Sequence, residues 1–327
     1  MIDEGARHEM VTGPIFIGGA GRSGKTLMRW ILSSHRRIAV SRRTEMWPRF
    51  HGRFGELARP ENLERCLAAM LDRKQIAALA PDLDRLRRDF RRGAPTYARL
   101  FALIHEQYAE RCGKVRWGDQ TGSIERYTEQ LMAAYPGARV IQMIRDPRDR
   151  YEALLGRGRQ RPGAVGRATA EWLGSVGFMD RNRLRHPNAC TIVRYESLVG
   201  APEETMRRIC AFVGEVFEPA MLRMQNVRRY DAERATSSDG TPISTAHVGR
   251  YRGRLGRRDL AFIQAVAGRQ MLALDYRPDP IHPTTGERIR WATVGWAPSL
   301  ARLGRRGALD ALHRSPGDSL APREASR

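Results

Sequence analysis

A glycine-rich segment near the start of the chain places the strongest constraint on its fold. The short apolar run PIFI at 14–17 precedes the residues GAGRSGKT at 19–26, and a helical pattern continues to about His35. This segment satisfies the pattern G-x-x-x-x-G-K-[ST], in which backbone N–H groups of a turn converge on a phosphate at the amino end of a helix. A purely structural glycine turn is the alternative, but the strand–turn–helix context favours a phosphate-binding loop.

The rest of the chain alternates between strand and helix patterns. Apolar runs at 138–144 and 190–195 predict two further strands, and the second is followed by a helical pattern over 202–213. Residues 53–112 place Leu, Ala and Ile at helical spacing, which predicts two to four helices. Strand–helix–strand alternation predicts an α/β fold, a three-layer sandwich with a central, mostly parallel sheet and a helical insertion at about 53–115.

A single domain accounts for this pattern. The chain has 327 residues, of which 41% are hydrophobic, and a chain of this length can bury a sizeable core. We expect one domain over residues 1–299. After about Pro298 the sequence is rich in Arg, Gly, Ser, Pro and Ala, which predicts a flexible carboxyl-terminal tail over 300–327.

The apolar runs and the cysteines indicate the cellular compartment of the protein. No apolar run approaches the ~20 residues that a transmembrane helix needs, and the polar start MIDEGARHEM is unlike a signal peptide. The four cysteines lack the paired spacing of metal ligands and are typical of free thiols in a reducing compartment. We therefore expect a cytoplasmic protein without a transmembrane segment or a bound metal.

The chain carries a large excess of positive charge. It has 57 basic and 36 acidic residues, a formal net charge of +21, and only three of the basic residues are lysines. We attribute the preference for arginine mainly to coding bias, but the net charge attracts anions such as nucleotides, acidic glycans, nucleic acids or lipid head groups. The arginines are scattered and no known nucleic-acid motif is present, so no nucleic-acid partner is expected.

Two classes of enzyme use a phosphate loop of this kind. An ATP- or GTP-dependent kinase needs Mg²⁺ and usually an Asp that ends a second apolar strand and holds the metal. The strand predicted at 138–144 is followed by Arg145, and the strand at 190–195 offers no Asp. The metal-binding half of the triphosphate interpretation is therefore missing, and a small-molecule kinase is the second interpretation.

Four segments resemble successive motifs of the sulfotransferases that use 3′-phosphoadenylyl sulfate. In the first segment the matching residues are Arg22, Ser23, Gly24, Thr26, Leu27, His35 and Glu45. The other three are VRWGDQTGSIERYTEQLMAAYPGARVIQMIRDPRDRYEALLGR, TIVRYESLVGAPEETMRRICAFVGEVFEPAML and STAHVGRYRGRL. They follow the family's order and cover about residues 14–276. The resemblance implies a P-loop nucleotide hydrolase-like fold, 3′-phosphoadenylyl sulfate as donor, adenosine 3′,5′-bisphosphate as product, and no required metal.

The chain departs from these family motifs at several positions. Lys25 stands where the family usually has threonine, and Gln120 and Gly122 replace the lysine and proline of the lysine-threonine-proline turn in the family's central motif. The serine expected eight residues after Arg145 is Ala153. We expect Arg157, one helical turn further on, to supply charge in its place.

The resemblance also assigns nucleotide-binding residues. The residues expected to contact the nucleotide are Gly21, Arg22, Ser23, Gly24, Lys25, Thr26, Arg145, Arg157, Tyr195, Ser244 and Arg250. Among these, Arg145 is expected to bind the 3′-phosphate. A solvated strand-end charge is the alternative for Arg145, and a core position is the alternative for Tyr195.

Transfer of a sulfuryl group resembles phosphoryl transfer, with an in-line attack and negative charge spread over the equatorial oxygens. Arg22 and Lys25 are the predicted catalytic cations, and Glu45 is the predicted base. We expect the nearby aromatic residues to desolvate Glu45 and raise its pKa. The alternative is a surface acid paired with neighbouring arginines, and Asp119 is then the second candidate base. The acceptor is expected to be a small molecule, glycan or lipid bound by residues 46–115 and 158–185.

Overall fold

Five strands form one central sheet in the computed structural model, which describes residues 13–156, 163–224, 243–281 and 283–290. The strands are β1 (Ile15–Gly18), β2 (Ile38–Arg42), β3 (Arg116–Gln120), β4 (Arg139–Ile144) and β5 (Cys190–Arg194). They lie in the order β2-β3-β1-β4-β5, and every pair is parallel. All five carboxyl ends therefore meet at one edge of the sheet, with β1 in the middle.

The helices flank this sheet. They are α1 (Lys25–Ser33), α2 (Met46–Arg49), α3 (Pro60–Leu71), α4 (Lys74–Ala77), α5 (Leu83–Arg91), α6 (Tyr97–Arg111), α7 (Thr128–Ala134), α8 (Pro147–Leu155), α9 (Ala164–Arg185), α10 (Tyr195–Gly200), α11 (Pro202–Val213), α12 (Ala220–Arg223), α13 (Arg257–Ala273) and α14 (Thr285–Arg290). Short 3₁₀ turns cover Ile124–Tyr127 and Thr245–His247.

The two faces of the sheet bury separate apolar clusters. Because successive side chains of a strand point to opposite faces, Phe16 joins a cluster with Trp117 and the helices of the insertion. Ile15 and Ile17 join the other cluster, together with Ile31 of α1 and further residues of α1 and α11. The predicted three-layer α/β sandwich with a central parallel sheet is confirmed.

The predicted helical insertion consists of α3 to α6 between β2 and β3. Asp82 and Thr96 cap α5 and α6 by accepting backbone N–H bonds from residues three positions on, at 2.9 and 3.1 Å. Apolar residues on the inner faces, including Leu67 and Phe101, are almost completely buried against the sheet. Four helices lie within the range for which two to four were predicted.

Two strands were not predicted. β2 has only three apolar residues, and β3 reads RWGDQ, a polar sequence whose five residues are all buried. Its first residue, Arg116, is 3% exposed and donates to the backbone carbonyls of Gly13 and Val213. Hydrogen bonds of this kind allow polar residues inside a sheet, so an apolar-run criterion misses such a strand.

Some predictions from the sequence concern residues that the structure does not describe, and others are not tested by the fold. The predicted tail at 300–327 and Arg157 are outside the described residues. The four cysteines are free thiols, and no helix in the described part of the chain combines the length and apolarity of a membrane crossing. The single domain over 1–299 and the cytoplasmic location stay predictions.

Candidate active site

The glycine-rich segment forms a tight turn between β1 and α1, as predicted. Gly24 lies immediately before α1 in the left-handed region, with φ of 89°. A Cβ atom at Gly24 would lie 2.6 Å from Cδ2 of Tyr195, and one at Gly19 would lie 2.1 Å from the carbonyl oxygen of Met143. Both positions therefore require glycine for space as well as for backbone conformation. The turn places the amino end of α1, a favourable site for anions, at the carboxyl edge of the sheet.

The other residues of the phosphate loop divide into exposed and buried ones. Arg22 is exposed and has a positive φ of 69°, an uncommon conformation for a side chain of this size. Ser23 is buried and donates from Oγ to the carbonyl of Ala20 at 2.7 Å. Thr26, in the first turn of α1, is exposed. The loop thus presents Arg22 and Thr26 to solvent, while Ser23 fixes the turn.

Lys25 is buried beneath the phosphate loop. Its Nζ donates to the backbone carbonyls of Gly19 and Ala20, and its residue is 8% exposed. The pKa of Lys25 is lowered to about 8, mainly by burial; the charge of Glu125 opposes this shift, and the charges of Arg150 and Arg43 add to it. The ammonium group is therefore mostly charged near neutral pH and becomes neutral at mildly alkaline pH.

A buried carboxylate that the sequence analysis did not single out lies beside this lysine. Glu125, in the 3₁₀ turn after β3, accepts the backbone N–H of Gly19 at 3.1 Å and the hydroxyl of Ser175 at 3.0 Å. It is 4% exposed. The segment QTGSIERY gives no signal that distinguishes Glu125 from a surface acid, because its role depends on a contact across the sheet edge.

Arg145 lies directly after β4, at the same edge of the sheet. Its guanidinium carbon is 4.6 Å from the centroid of the Tyr195 ring, a cation–π distance. Its Nη2 donates to the carbonyl of His247, and its own carbonyl accepts the indole N–H of Trp172 at 2.8 Å. Arg145 is 6% exposed. The contacts with Tyr195 and His247 hold the side chain in place, so Arg145 is not a freely solvated strand-end charge.

The loop that carries His247 and Arg250 is attached to α8. Asp149 accepts the backbone N–H groups of Gly249 and Tyr251 at 2.7 and 2.9 Å, one with each carboxylate oxygen. Ser244, a predicted nucleotide contact, accepts the backbone N–H of Ala246 at 3.1 Å and begins the 3₁₀ turn. Asp149 therefore connects the loop at 243–251 to the strand end that presents Arg145.

A cleft of about 220 Å³ opens between the phosphate loop, α8 and the loop at 243–251. Its lining consists of Arg22, Arg145, Glu152, Ala153, Gly156, His247 and Arg250. Three of these residues are arginines that come from three different segments of the chain. Guanidinium groups suit phosphate because they present several donors in one plane, so the cleft can bind an anion.

Glu152 is the single acid among the lining residues. Its Oε1 lies 3.4 Å from Nε of Arg250 and 3.3 Å from Nη1 of Arg254. These pairs neutralise much of its charge and orient Arg250 at the cleft. Ala153 follows directly, and its methyl group offers no hydrogen bond where the family motif predicts a serine. The sequence analysis identified Ala153 but missed Glu152 and His247.

Glu45 lies in the turn between β2 and α2. Its carboxylate accepts from Arg49 and from Arg73, the latter at 3.0 Å, and its side chain is 31% exposed. Its backbone N–H donates to Oγ1 of Thr121 at 3.1 Å. Arg43 of the same turn is close enough to influence the pKa of Lys25. Glu45 thus lies at the same edge of the sheet as the phosphate loop. Its carboxylate is paired with arginines, as expected if Glu45 were a surface acid.

Asp119, the second candidate base, is enclosed by hydroxyl groups. Its oxygens accept from Ser41, Thr44 and Thr121 at 2.8, 2.7 and 2.8 Å, and it is 1% exposed. Thr121 in turn accepts the backbone N–H of Glu45 at 3.1 Å. Asp119 therefore holds the turn of Glu45 in place through these hydroxyl groups.

The structure brings some predicted residues together and separates others. Arg22, Arg145 and Arg250 share the cleft, whereas Ser244 serves as a cap. Gln120, which stands in the place of a family lysine, is 2% exposed, and its Oε1 has no hydrogen-bond partner. No cluster of three His, Cys, Asp or Glu residues arranged for a metal occurs within the described ranges. The roles predicted for individual residues stay predictions.

The fold is a P-loop-like α/β sandwich, and the cleft beside its glycine-rich turn carries the positive charge that suits an anion. A family model described as the sulfotransferase family matches residues 14–219, which is more than half of the chain. The chain therefore belongs to the sulfotransferase family and is an enzyme of that class, as the order of its motifs predicted.

Curated relatives and solved structures agree with this assignment. The chain is 25% identical over 289 residues to protein-tyrosine sulfotransferase 1 of Danio rerio, an alignment that covers 83% of this chain and 74% of the relative. It is 25% identical over 292 residues to the protein-tyrosine sulfotransferase of Drosophila melanogaster, covering 85% of this chain and 54% of that protein. The chain thus spans about half the length of the Drosophila relative.

Among solved structures, the sulfotransferase domain of the Synechococcus PCC 7002 olefin synthase has a TM-score of 0.54 and 20% identity. The alignment covers 80% of this chain and 94% of that domain. At this level of identity the likeness concerns the fold, and it agrees with the parallel sheet and flanking helices described above.

Proposed function

We propose that the protein transfers a sulfuryl group from 3′-phosphoadenylyl sulfate to a hydroxyl or amine of an acceptor. The observation that carries this proposal is the placement of Arg145 at the end of β4, in one cleft with Arg22 and Arg250. A triphosphate enzyme usually holds Mg²⁺ with a carboxylate at such a strand end. A guanidinium in that position suits a second phosphate group, which the 3′-position of the donor provides.

The donor would be bound at two places. The amino end of α1 and the backbone N–H groups of the phosphate loop suit its 5′-phosphosulfate. The arginine-lined cleft suits its 3′-phosphate, because Arg145 and Arg250 are already oriented by Tyr195 and Glu152. No metal is needed for this arrangement, since guanidinium and ammonium groups supply the positive charge.

The transfer itself would be a single displacement. The acceptor oxygen or nitrogen attacks the sulfur, the bond between sulfur and the bridging phosphate oxygen breaks, and adenosine 3′,5′-bisphosphate leaves. The acceptor proton passes to a carboxylate, for which we propose Glu45. Arg22 and Lys25 would stabilise the charge that develops on the leaving phosphate oxygen.

Several features support Glu45 as the base. It lies at the same edge of the sheet as the phosphate loop, it is partly exposed, and Arg49 and Arg73 hold its carboxylate. Asp119 is fully enclosed and has three hydroxyl donors, which suits a supporting role. Partial exposure gives an acceptor access to Glu45 that Asp119 does not have.

The acceptor is proposed to carry a hydroxyl or amine group that can attack the sulfur. Small hydroxylated molecules, glycans and lipids all carry a suitable hydroxyl group. The Danio and Drosophila relatives are named for protein tyrosine, so a phenolic hydroxyl in a peptide is included among the acceptors to be tested.

A thermal-shift comparison tests the donor. Adenosine 3′,5′-bisphosphate without metal should stabilise the protein by about 2.7 kcal/mol when its concentration is about 100 times the dissociation constant. If ATP with Mg²⁺ stabilises the protein and the bisphosphate does not, the kinase interpretation replaces this proposal.

Transfer of labelled sulfate to a mixed pool of the acceptor classes tests the activity. A Glu45→Gln variant in the same assay tests the proposed base.

A further inference from the structure

His247 occupies a position in the cleft that neither the phosphate-loop pattern nor the family resemblance assigned. It ends the 3₁₀ turn Thr245–His247, and its exposed side chain lines the cleft together with Arg22, Arg145 and Arg250. Its backbone carbonyl accepts from Arg145. Its ring nitrogen Nδ1 lies 3.0 Å from Nη1 of Arg250. The residue therefore contacts two of the three cleft arginines.

The contact with Arg250 identifies the tautomer of His247. An arginine side chain can only donate hydrogen bonds, so Nδ1 of His247 must be the acceptor and cannot carry a proton. In the neutral ring the proton is then on Nε2. Protonation of Nδ1 would remove this acceptor and release Nη1 of Arg250 from the imidazole.

Charged groups from several neighbouring elements act on this imidazole, and helix α10, which begins with Tyr195, also contacts its 3₁₀ turn. The charged groups are Arg22 of the phosphate loop, Arg145 after β4, Glu152 of α8 and Arg250 of the same loop, and Asp149 of α8 binds the backbone two and four residues further on. Burial lowers the pKa of His247, the three arginines lower it further, and Glu152 opposes them. The imidazole is therefore neutral near pH 7 when the cleft holds no anion.

We infer that His247 is a proton-linked contact for the phosphate group in this cleft. A phosphate dianion would cancel much of the arginine charge, so that Nδ1 takes up a proton from solvent and Nη1 of Arg250 turns from the imidazole to the phosphate. The cationic ring then adds a donor where Ala153 offers none. This inference rests on the proposed function, because it needs a nucleotide with a phosphate at the 3′-position.

The direction of the pH dependence follows from the linkage of proton and ligand binding. The pKa of His247 is lowered in the free protein and would rise in the complex, so affinity for the 3′-phosphate should increase as the pH falls between these two values. The increase is at most about tenfold per pH unit for one proton. A phosphate ester has its own second pKa of about 6, and its protonation acts in the opposite direction below that pH.

Calorimetric titration tests the inference. Binding of adenosine 3′,5′-bisphosphate at about pH 7 is measured in two buffers with different ionisation enthalpies, which gives the number of protons taken up. Wild-type protein should take up a sizeable fraction of one proton, and its dissociation constant should fall about threefold to tenfold between roughly pH 8 and pH 6.5. Adenosine 5′-monophosphate, which lacks the 3′-phosphate, should bind with less proton uptake than the bisphosphate.

Two variants make the test specific to this residue. His247→Gln keeps a group that can accept from Arg250 but cannot titrate, and it should take up fewer protons than the wild type when it binds the bisphosphate, because any uptake by Lys25 remains. His186→Gln is the matched control, because His186 precedes β5 at the opposite edge of the sheet and pairs with Glu129 at 3.1 Å. That control should keep the wild-type proton uptake.

The outcomes separate the inference from the proposed function. Unchanged proton uptake in His247→Gln, or no uptake in the wild type, overturns the role of His247 while leaving the nucleotide site intact. Failure of the wild type to bind the bisphosphate at all overturns the proposed function, and the inference falls with it. Melting curves without ligand confirm that each variant is folded.

Discussion

At the scale of the residue, Arg145 shows how a sequence signal and a structural position combine. The sequence identified it from the strand end and the Asp-Pro pair that follows. The structure adds two contacts of the side chain. The Tyr195 ring centroid lies 4.6 Å from the guanidinium carbon of Arg145, and the His247 carbonyl accepts from Nη2 of Arg145. Both partners are distant in sequence, so their contacts depend on the folded chain. The side chain is held in its position by residues that are themselves parts of the candidate site.

Replacing Arg145 by alanine should therefore weaken binding of adenosine 3′,5′-bisphosphate. The expected loss is about 1.5–3 kcal/mol, the usual contribution of a hydrogen bond to a charged group, and isothermal titration measures it. Binding of adenosine 5′-monophosphate should barely change. Arg139→Ala is the matched control at the amino end of the same strand, where the side chain donates to Phe212. Equal losses for both nucleotides would show that Arg145 has a structural role only.

Lys25 gives a second prediction, on pH. Burial lowers its pKa to about 8, so the ammonium group is charged below that pH and becomes neutral above it. If it attracts donor phosphate, wild-type affinity for the bisphosphate should fall as the pH rises through about 8. Lys25→Thr should bind more weakly at about pH 7 and should lose the decline above about pH 8, because no lysine remains to titrate. A decline that persists in the variant would assign it to another group.

At the scale of the element, the loop at 243–251 depends on one side chain of α8. Asp149 accepts two of its backbone N–H groups, and nucleotide contacts on that loop act only if it is held against β4. Asp149→Ala should reduce affinity for the bisphosphate by roughly tenfold or more, through loss of two charge-assisted hydrogen bonds. Asp180→Ala, at an exposed acid of α9, is the control and should leave affinity unchanged. Unchanged affinity in Asp149→Ala would show that the loop does not depend on this anchor.

The sequence predicted the bounds of some helices and strands accurately and missed other elements. Helix α11 begins at Pro202 and ends at Val213 as predicted, because a proline suits its first turn and Gly214 its end. Strand β3 was missed since its polar residues are buried through hydrogen bonds to segments far away in the chain. The same limit explains the site: Arg22 and Arg250 came from motifs, whereas Glu125, Glu152 and His247 owe their positions to tertiary contacts. A local pattern contains no information about such contacts.

At the scale of the whole molecule, the candidate nucleotide site joins segments from distant parts of the chain. Hydrogen exchange should therefore slow on addition of the bisphosphate in the phosphate loop, the start of α8 and the loop at 243–251. Exchange that occurs by opening of the bound site should slow by up to about 100-fold at a ligand concentration of about 100 times the dissociation constant. Helices α5 and α6 serve as internal controls and should change little. Protection confined to the phosphate loop would contradict the placement of the 3′-phosphate in the cleft.

The order of the strands also has a consequence for engineering. β1 lies at the centre, with β4 and β5 on one side and β3 and β2 on the other. The cleft arginines Arg145 and Arg250 lie on the first side, whereas Glu45 and the insertion α3 to α6 follow the edge strand of the second side. One continuous stretch of chain between β2 and β3 therefore carries the proposed base and the helices beside it, and the donor side is encoded elsewhere. Chimeras that exchange this stretch between family members would show how much of the acceptor preference it carries while the donor side stays the same.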